Sequence, residues 1–375
     1  MRTIYIIFLA ATSTLAFGQL SHSHITNRAI NFPDVPGYLT LKADLHIHTV
    51  FSDGEVWPSV RIQEANRDNL DVISMTEHLE YQPHKEDIPH PDRNRSHDIA
   101  TEAAKNSDLV VVRGSEITRS MPPGHANAIF IQDANKLLNE DYLKVFKEAH
   151  NQGAFVFWNH PNWTAHRKDG IATLTEEHAK LIKKGYLHGI EVVNETTYSE
   201  EALQIALDNN LTIIGTSDVH GLIDWLYDVP EGGHRPVTLI FSKDRSQEAL
   251  KAALLERRTA VWFDNILIGR EEMISPLLKS SAVVNSPMSY KGDTNVLNVE
   301  IENVSDAELV LYNKTEYSFH EVDNLIVLEP NATTLLQVKT IERQTDVELK
   351  FDVLNAIIAP DTHPELVLNV KVEDN

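Results

Sequence analysis

Between Leu39 and Phe263 short apolar runs alternate with amphipathic ones, and no other feature constrains the fold as tightly. Strand patterns fall on Leu39 to Ile47, Val72 to Met75, Leu109 to Val112, His125 to Ile131, Ala154 to Trp158, Gly189 to Val193 and Leu211 to Gly215. Helical spacing lies between them, on Pro58 to Asn69, Arg95 to Lys105, Tyr142 to Asn151, Glu176 to Lys184 and Glu200 to Asn209. Pro58 suits a first turn, and Gly185 suits a C-terminal stop. Strands alternating with helices predict a parallel sheet, and about seven such units predict a closed barrel rather than an open sheet. Val237 to Phe241, a helix from Gln247 to Arg257 and Thr259 to Phe263 complete it.

From about Ser275 the helical spacing disappears. Val296 to Ile301, Glu308 to Tyr312, Thr334 to Lys339, Glu348 to Val353 and Leu366 to Val372 alternate apolar and polar residues, with turn residues between. Such spacing predicts a small all-β sandwich of about a hundred residues, and it carries no cluster of catalytic side chains. A chain of 375 residues with 42% hydrophobic content can bury a core in each part. The expected division is therefore a leader over 1–18, a lead-in over 19–38, an α/β barrel over 39–274 and the sandwich over 275–375.

The leader is read from Arg2, the apolar run Ile4 to Ala11 and the small residues of Ala16-Phe17-Gly18 before Gln19, which have the layout of a secretory signal peptide cut near Gly18. That run is too short to span a bilayer, and no later stretch is long enough, so an exported protein, periplasmic or secreted, without a membrane anchor is expected. Absence of cysteine excludes a disulfide framework and a lipidated cysteine. A formal net charge of -22 argues against a nucleic-acid polymer as partner, since such binders present basic surfaces. Oligomeric state is not legible in the sequence.

Polar residues of one kind recur at the strand ends. In Asp44-Leu45-His46-Ile47-His48 the two histidines are two residues apart on a strand, so both rings face one point and can chelate one ion, with Asp44 placed to orient a ring. An isolated His-x-His is equally compatible with two half-buried, hydrogen-bonded histidines. Here, however, His78, Glu116, His160, Asp218 and His220 also fall at or just past strand ends, and His125 opens its strand. Active sites of parallel barrels lie at the C-terminal ends of the strands.

Taken in order, His46-Ile-His48, Ser52-Asp53-Gly54, Thr76-Glu77-His78, Gly114-Ser115-Glu116, Gly124-His125, Asn159-His160-Pro161 and Ser217-Asp218-Val219-His220 resemble the PHP (polymerase and histidinol phosphatase) metallohydrolases over roughly Leu39 to Phe263. The resemblance implies a distorted (β/α)7 barrel and two or three divalent ions, zinc, manganese or iron. His46, His48, Glu116 and Asp218 would hold the first; Glu116, His125 and His160 the second; Asp53, His78 and His220 the third. It further implies hydrolysis of a phosphate ester, monoester or diester, for which a hydroxide between the first two ions is the expected nucleophile, with the third ion, or an acid near it such as Asp53 or His220, stabilising the leaving oxygen. Catalytic roles thus fall to Asp53, Glu116 and His220, and the partner is a small-molecule phosphate ester.

An anionic substrate calls for cations that the overall charge does not supply. Arg119, just past Glu116, and Arg167, beyond Asn159-His160-Pro161, are candidates, as is the long loop Leu79 to Arg95 with His84, Lys85, His90, Arg93 and Arg95. Asn194 ends the sixth strand where no ligand stands, and either touches substrate or packs. Glu77 is expected to support the ligand beside it. Two rival readings remain. An amidohydrolase also opens with His-x-His, but usually bridges its metals with a modified lysine after strand four, where none is suitably placed here. A catalytically silent periplasmic carrier of metal or phosphate ester is the other, although every ligand type an active centre needs is present.

Overall fold

The computed structural model describes residues 28–373 apart from 89 and 286, so the expected signal peptide lies outside the described residues. The first part comprises β1 (Leu39–Ile47), α1 (Pro58–Arg67), β2 (Val72–Met75), α2 (Arg95–Ala104), β3 (Val110–Ile117), β4 (Ala126–Ile129), α3 (Tyr142–Asn151), β5 (Phe155–Trp158), α4 (Glu176–Lys183), β6 (Gly189–Asn194), β7 (Thr197–Tyr198), α5 (Glu200–Asp208), β8 (Thr212–Thr216), α6 (Ile223–Leu226), β9 (Val237–Ser242), α7 (Gln247–Leu255), β10 (Thr259–Phe263) and β11 (Ile266–Gly269). Local chemistry starts the helices where they start. Asp141, Thr175, Ser199 and Ser246 each accept a backbone N–H at the head of α3, α4, α5 and α7, satisfying donors the helix itself leaves open.

These strands form one curled sheet in the order β11-β10-β9-β1-β2-β3-β4-β5-β6-β7, with β8 beside β6. Pairs β1/β2, β2/β3, β5/β6 and β6/β8 are parallel, as an α/β barrel requires. The regular strand-helix alternation expected from the sequence is not kept throughout. β4 runs antiparallel to both β3 and β5, and β9, β10 and β11 extend β1 by antiparallel pairing. The stretch between β3 and β4 holds no helix, and a parallel crossover needs a longer connection, usually helical.

The curl closes where β8 meets β1, β9 and β10, with little backbone pairing. A single bridge joins Ile47 to Val219, and hydroxyls tie β8 to its other neighbours: Thr238 of β9 bonds Gly215 N and O at 3.0 and 2.8 Å, Thr259 of β10 bonds Ile213 O, and Thr212 bonds Leu254 O of α7. Gly215 permits this approach, since a Cβ there would lie 2.2 Å from Val261. Leu41, Ala43, Leu45, Phe155, Phe157 and Ile214 pack with Leu250 and Leu254 of α7 as one buried cluster. Each fully buried side chain of this size contributes about 1.5–3 kcal/mol.

The remainder is α8 (Glu271–Ser281), β12 (Ala282–Val284), β13 (Ser289–Tyr290), β14 (Val296–Asn303), β15 (Leu309–Asn313), β16 (Ser318–Phe319), β17 (Leu325–Leu328), β18 (Ala332–Lys339), β19 (Asp346–Val353), β20 (Ala356–Ile357) and β21 (Glu365–Lys371). One sheet runs β12-β14-β18-β16 with β13 on β14, the other β17-β15-β19-β21. Alternate residues of β14, β15 and β19, such as Leu297, Val299, Leu309, Leu311, Leu349 and Phe351, share one core. Residue 275, where the sequence pattern changes, falls inside α8, which continues past Pro276. The two parts share structure: β20 pairs in parallel with β11, and Asn355 donates to Asn265 O and Glu308 O.

Candidate metal centre

Nine polar side chains meet at one rim of the curled sheet. His46 lies on β1 and His48 just after it, Asp53 in the following turn, His78 past β2, Glu116 on β3, His160 past β5, and Asp218 and His220 past β8. Gly54 makes the turn at Asp53 possible, because a Cβ there would lie 2.6 Å from Thr49 N. His125 precedes β4, and since β4 is antiparallel to β3 its beginning reaches the same rim as the ends of the parallel strands. His160 and Asp218 hold left-handed backbone with φ of 30° and 48°, strain that non-glycine residues adopt mostly where the surroundings impose it.

The distances join the three expected sets into one continuous cluster. His46 Nε2 and His48 Nε2 stand 3.0 Å apart, each 3.1 Å from Asp218 Oδ1. Glu116 Oε1 lies 3.6 Å from His46 Nε2, 3.0 Å from His125 Nδ1 and 3.5 Å from His160 Nε2. Asp53 lies 3.3 Å from His78 Nε2 and 3.2 Å from His220 Nε2. Neighbouring sets also touch: His78 Nδ1 contacts Glu116, and His48 Nδ1 is 3.7 Å from Asp53.

Supporting residues fix these side chains. His46 Nδ1 is held by Glu191 at 2.8 Å, and Glu191 also accepts from Thr216 Oγ1, His160 N and Asn194 Nδ2. Asp44, expected to orient a ring, does not do so; it accepts from Ser217 N and Oγ and from Arg235. Ser217 and Arg235 occupy Asp44, and Glu191 of β6 takes the ring in its place. Glu77, expected to support the neighbouring His78, reaches His48 instead, by accepting from Ser52 Oγ, which bonds His48 Nδ1, and from Thr49. Thr118 meets His78 Nδ1 at 2.6 Å, and Asn159 donates to Glu116 at 2.9 Å.

The donor set fits divalent cations. Glu116 Oε2, Asp218 Oδ1 and Asp53 Oδ1 are buried with only ring nitrogens of fellow candidate ligands in reach, and His160 Nδ1 has no hydrogen-bond partner; such atoms are costly unless something pairs them. Groups His46–His48–Glu116, His78–Glu116–His125 and His48–Asp53–His78–His220 each place ligand atoms within 4.8 Å of one another. Mixed imidazole and carboxylate donors suit zinc, manganese and iron. Electrostatics are correspondingly split. Burial works against charge on His46, yet Asp218, Glu191 and Glu116 lift it to about 10. Burial, with His220 and His78 nearby, lowers His48 to about 3. Burial would raise Glu116 and Asp218, but the surrounding imidazoles hold both well below the usual carboxylate range.

A cavity of about 240 Å³ opens over the cluster, lined also by Tyr81, Thr118, Trp163, Asn194 and Glu195. Neither arginine expected to bind substrate lines it. Arg119 pairs with Glu80 at 2.7 Å and donates to Asn139 O and Glu140 O, and Arg167 donates to Thr173 O. Asn194 lines it, but its Nδ2 is committed to Glu191 and Asp218. Of the loop 79–95, Tyr81 rather than a cation reaches the cavity, and Arg93 is tied to Leu79 O.

Comparison with known proteins gives the following. The DUF5001 family of Ig-like domains matches residues 283–369. A crystal structure from Bacteroides vulgatus ATCC 8482, of a two-domain protein containing a predicted PHP-like metal-dependent phosphoesterase, is 42% identical, with a TM-score of 0.84 over 91% of this chain and 98% of that one. PsfC from Pseudomonas syringae PB-5123 is 16% identical, with a TM-score of 0.41 over 60% of this chain and 91% of its own. An uncharacterized protein of Methanocaldococcus jannaschii is 34% identical over 85 residues, 22% of this chain. The chain spans 36% of the length of that curated relative.

Proposed function

Because the chain belongs to the two-domain PHP-like family of metal-dependent phosphoesterases, we propose that it hydrolyses phosphate esters of small molecules, in an exported form. The observation that carries the reading is the convergence of nine potential ligands under one cavity, with buried carboxylate oxygens that only fellow ligands' ring nitrogens reach. His46, His48, Glu116 and Asp218 would hold one ion, Glu116, His125 and His160 a second, and Asp53, His78 and His220 a third. Bound there, divalent ions polarise phosphoryl oxygens and acidify water.

The chain's own residues do the positioning. Glu191 and Asn194 fix His46 and Asp218, and Asn159 fixes Glu116. His220 Nδ1 meets Asp218 O at 2.8 Å, which turns Nε2 toward Asp53 Oδ1. With no ion in the third set, His220 Nε2, 3.2 Å from Asp53 Oδ1 at the cavity lining, would be placed to give a proton to a departing alkoxide oxygen.

The test is phosphate release from an aryl phosphate, with alcohol release from a diester and turnover of amides and lactones as comparisons. Activity is expected to vanish with a chelator, return with Mn²⁺ or Zn²⁺, and disappear in His160→Ala. Undiminished hydrolysis in the stripped protein would refute the proposal.

A further inference from the structure

The cavity over the metal centre has an unusual charge balance for a site that takes an anion. Among the described residues that line it there is no lysine or arginine. Glu195 also lines it and makes no side-chain hydrogen bond or ion pair among the described residues, while its backbone is held left-handed at φ 50°. Its main-chain N–H is anchored to Thr216 O, which sets its backbone beside the candidate ligands and leaves the exposed carboxylate within reach of the cavity. A phosphoryl group therefore finds positive charge only at the cluster, and any second anionic group meets a bare carboxylate.

The other walls are aromatic. Tyr81 is 51% exposed with its ring edge-on to His78 at 5.7 Å, and Trp163 is 45% exposed with its ring 5.1 Å from His160 and 5.7 Å from His125. Large rings left open to solvent beside buried polar groups offer flat apolar faces to a ligand. At about 240 Å³ the cavity lies just under the usual range for small-molecule sites, roughly 300–1,000 Å³, which favours a phosphate with one ring over a larger ester.

Resting on the phosphoesterase reading above, we propose that the site selects phosphate monoesters whose alcohol is a single uncharged hydroxylated ring of sugar type. Tyr81 and Trp163 hold the ring. Glu195 accepts a hydrogen bond from a ring hydroxyl and repels a second phosphate.

The test compares kcat/KM of the full, metal-loaded chain on a hexose monophosphate, the matching hexose bisphosphate and the acyclic glycerol phosphate. The hexose monophosphate is expected to exceed each of the others by about tenfold. Trp163→Ala and Tyr81→Ala should shrink the preference for the ring over the acyclic ester, and Glu195→Gln the preference against the bisphosphate. Ratios taken on one sample do not depend on how much of a variant is folded. Equal turnover of the three esters, or preferences that the substitutions leave in place, would overturn this selectivity while the phosphoesterase reading stood. Turnover of the aryl phosphate with none of these three would do the same, and no release even from the aryl phosphate would overturn both.

Discussion

At the rim, buried oxygens of Glu116 and Asp218 face only the ring nitrogens of other candidate ligands, whereas Arg61 of α1, also buried, uses all five of its N–H donors on a carboxylate and backbone carbonyls. Those donors reach Glu64 and the carbonyls of His48, Val219, His220 and Gly221, two of which belong to candidate ligands. Arg235 is bound likewise, to Asp44 and Asp68. Both regions bury charged side chains, and what separates them is saturation. A saturated group fixes backbone, while an unsaturated one awaits a cation.

If the contrast is real, the two regions respond differently to substitution. The largest effect should come from Glu116→Ala, which removes a carboxylate in contact with five histidines and should lower phosphate release at least about a thousandfold, with little change in the urea midpoint. Arg61→Ala should do the reverse at the level of folding, costing about 3–5 kcal/mol in urea denaturation because Glu64 is left buried and unpaired. A loss of stability in Glu116→Ala as large as that in Arg61→Ala would erase the distinction. Glu191→Gln sits between the two, as it weakens the hold on His46, and metal affinity in a competition titration should fall about 10–100-fold.

The smallest expected effect concerns a buried histidine outside both regions. Burial lowers His178 from 6.5 to about 4; its ring stacks on Trp158 and its Nε2 meets Pro123 O. Between these values the unfolded chain binds more protons than the folded one, so this group's contribution to stability is complete above pH of about 6.5 and shrinks as pH falls toward about 4. In His178→Gln the urea midpoint should change less between neutral and mildly acid pH than in the parent chain.

Much of the rim was legible because the end of a strand is a short apolar run followed by its ligand, as in Val72 to His78 and Phe155 to His160. Glu191 was missed, although its signal was present: a carboxylate in the middle of the fully buried run Gly189–Asn194 needs partners. The antiparallel course of β4 could be inferred only from the lack of a helix before it. α8 was hidden by Pro276, which breaks a helical pattern in sequence but sits here within a helix that continues past it. Which arginines face a cavity depends on tertiary contacts that spacing does not encode, and both candidates proved to be tied to neighbouring carbonyls.

The pairing of β20 with β11 has a consequence for how the chain survives in concentrated solution. Without Ala356–Ile357 alongside, Leu267 and Ile268 would offer unpaired amides and carbonyls to any strand that came near. Open borders of this sort recruit other molecules into ladders and then into aggregates. The C-terminal part thus covers this border of the sheet, and a barrel truncated before it is expected to lose solubility.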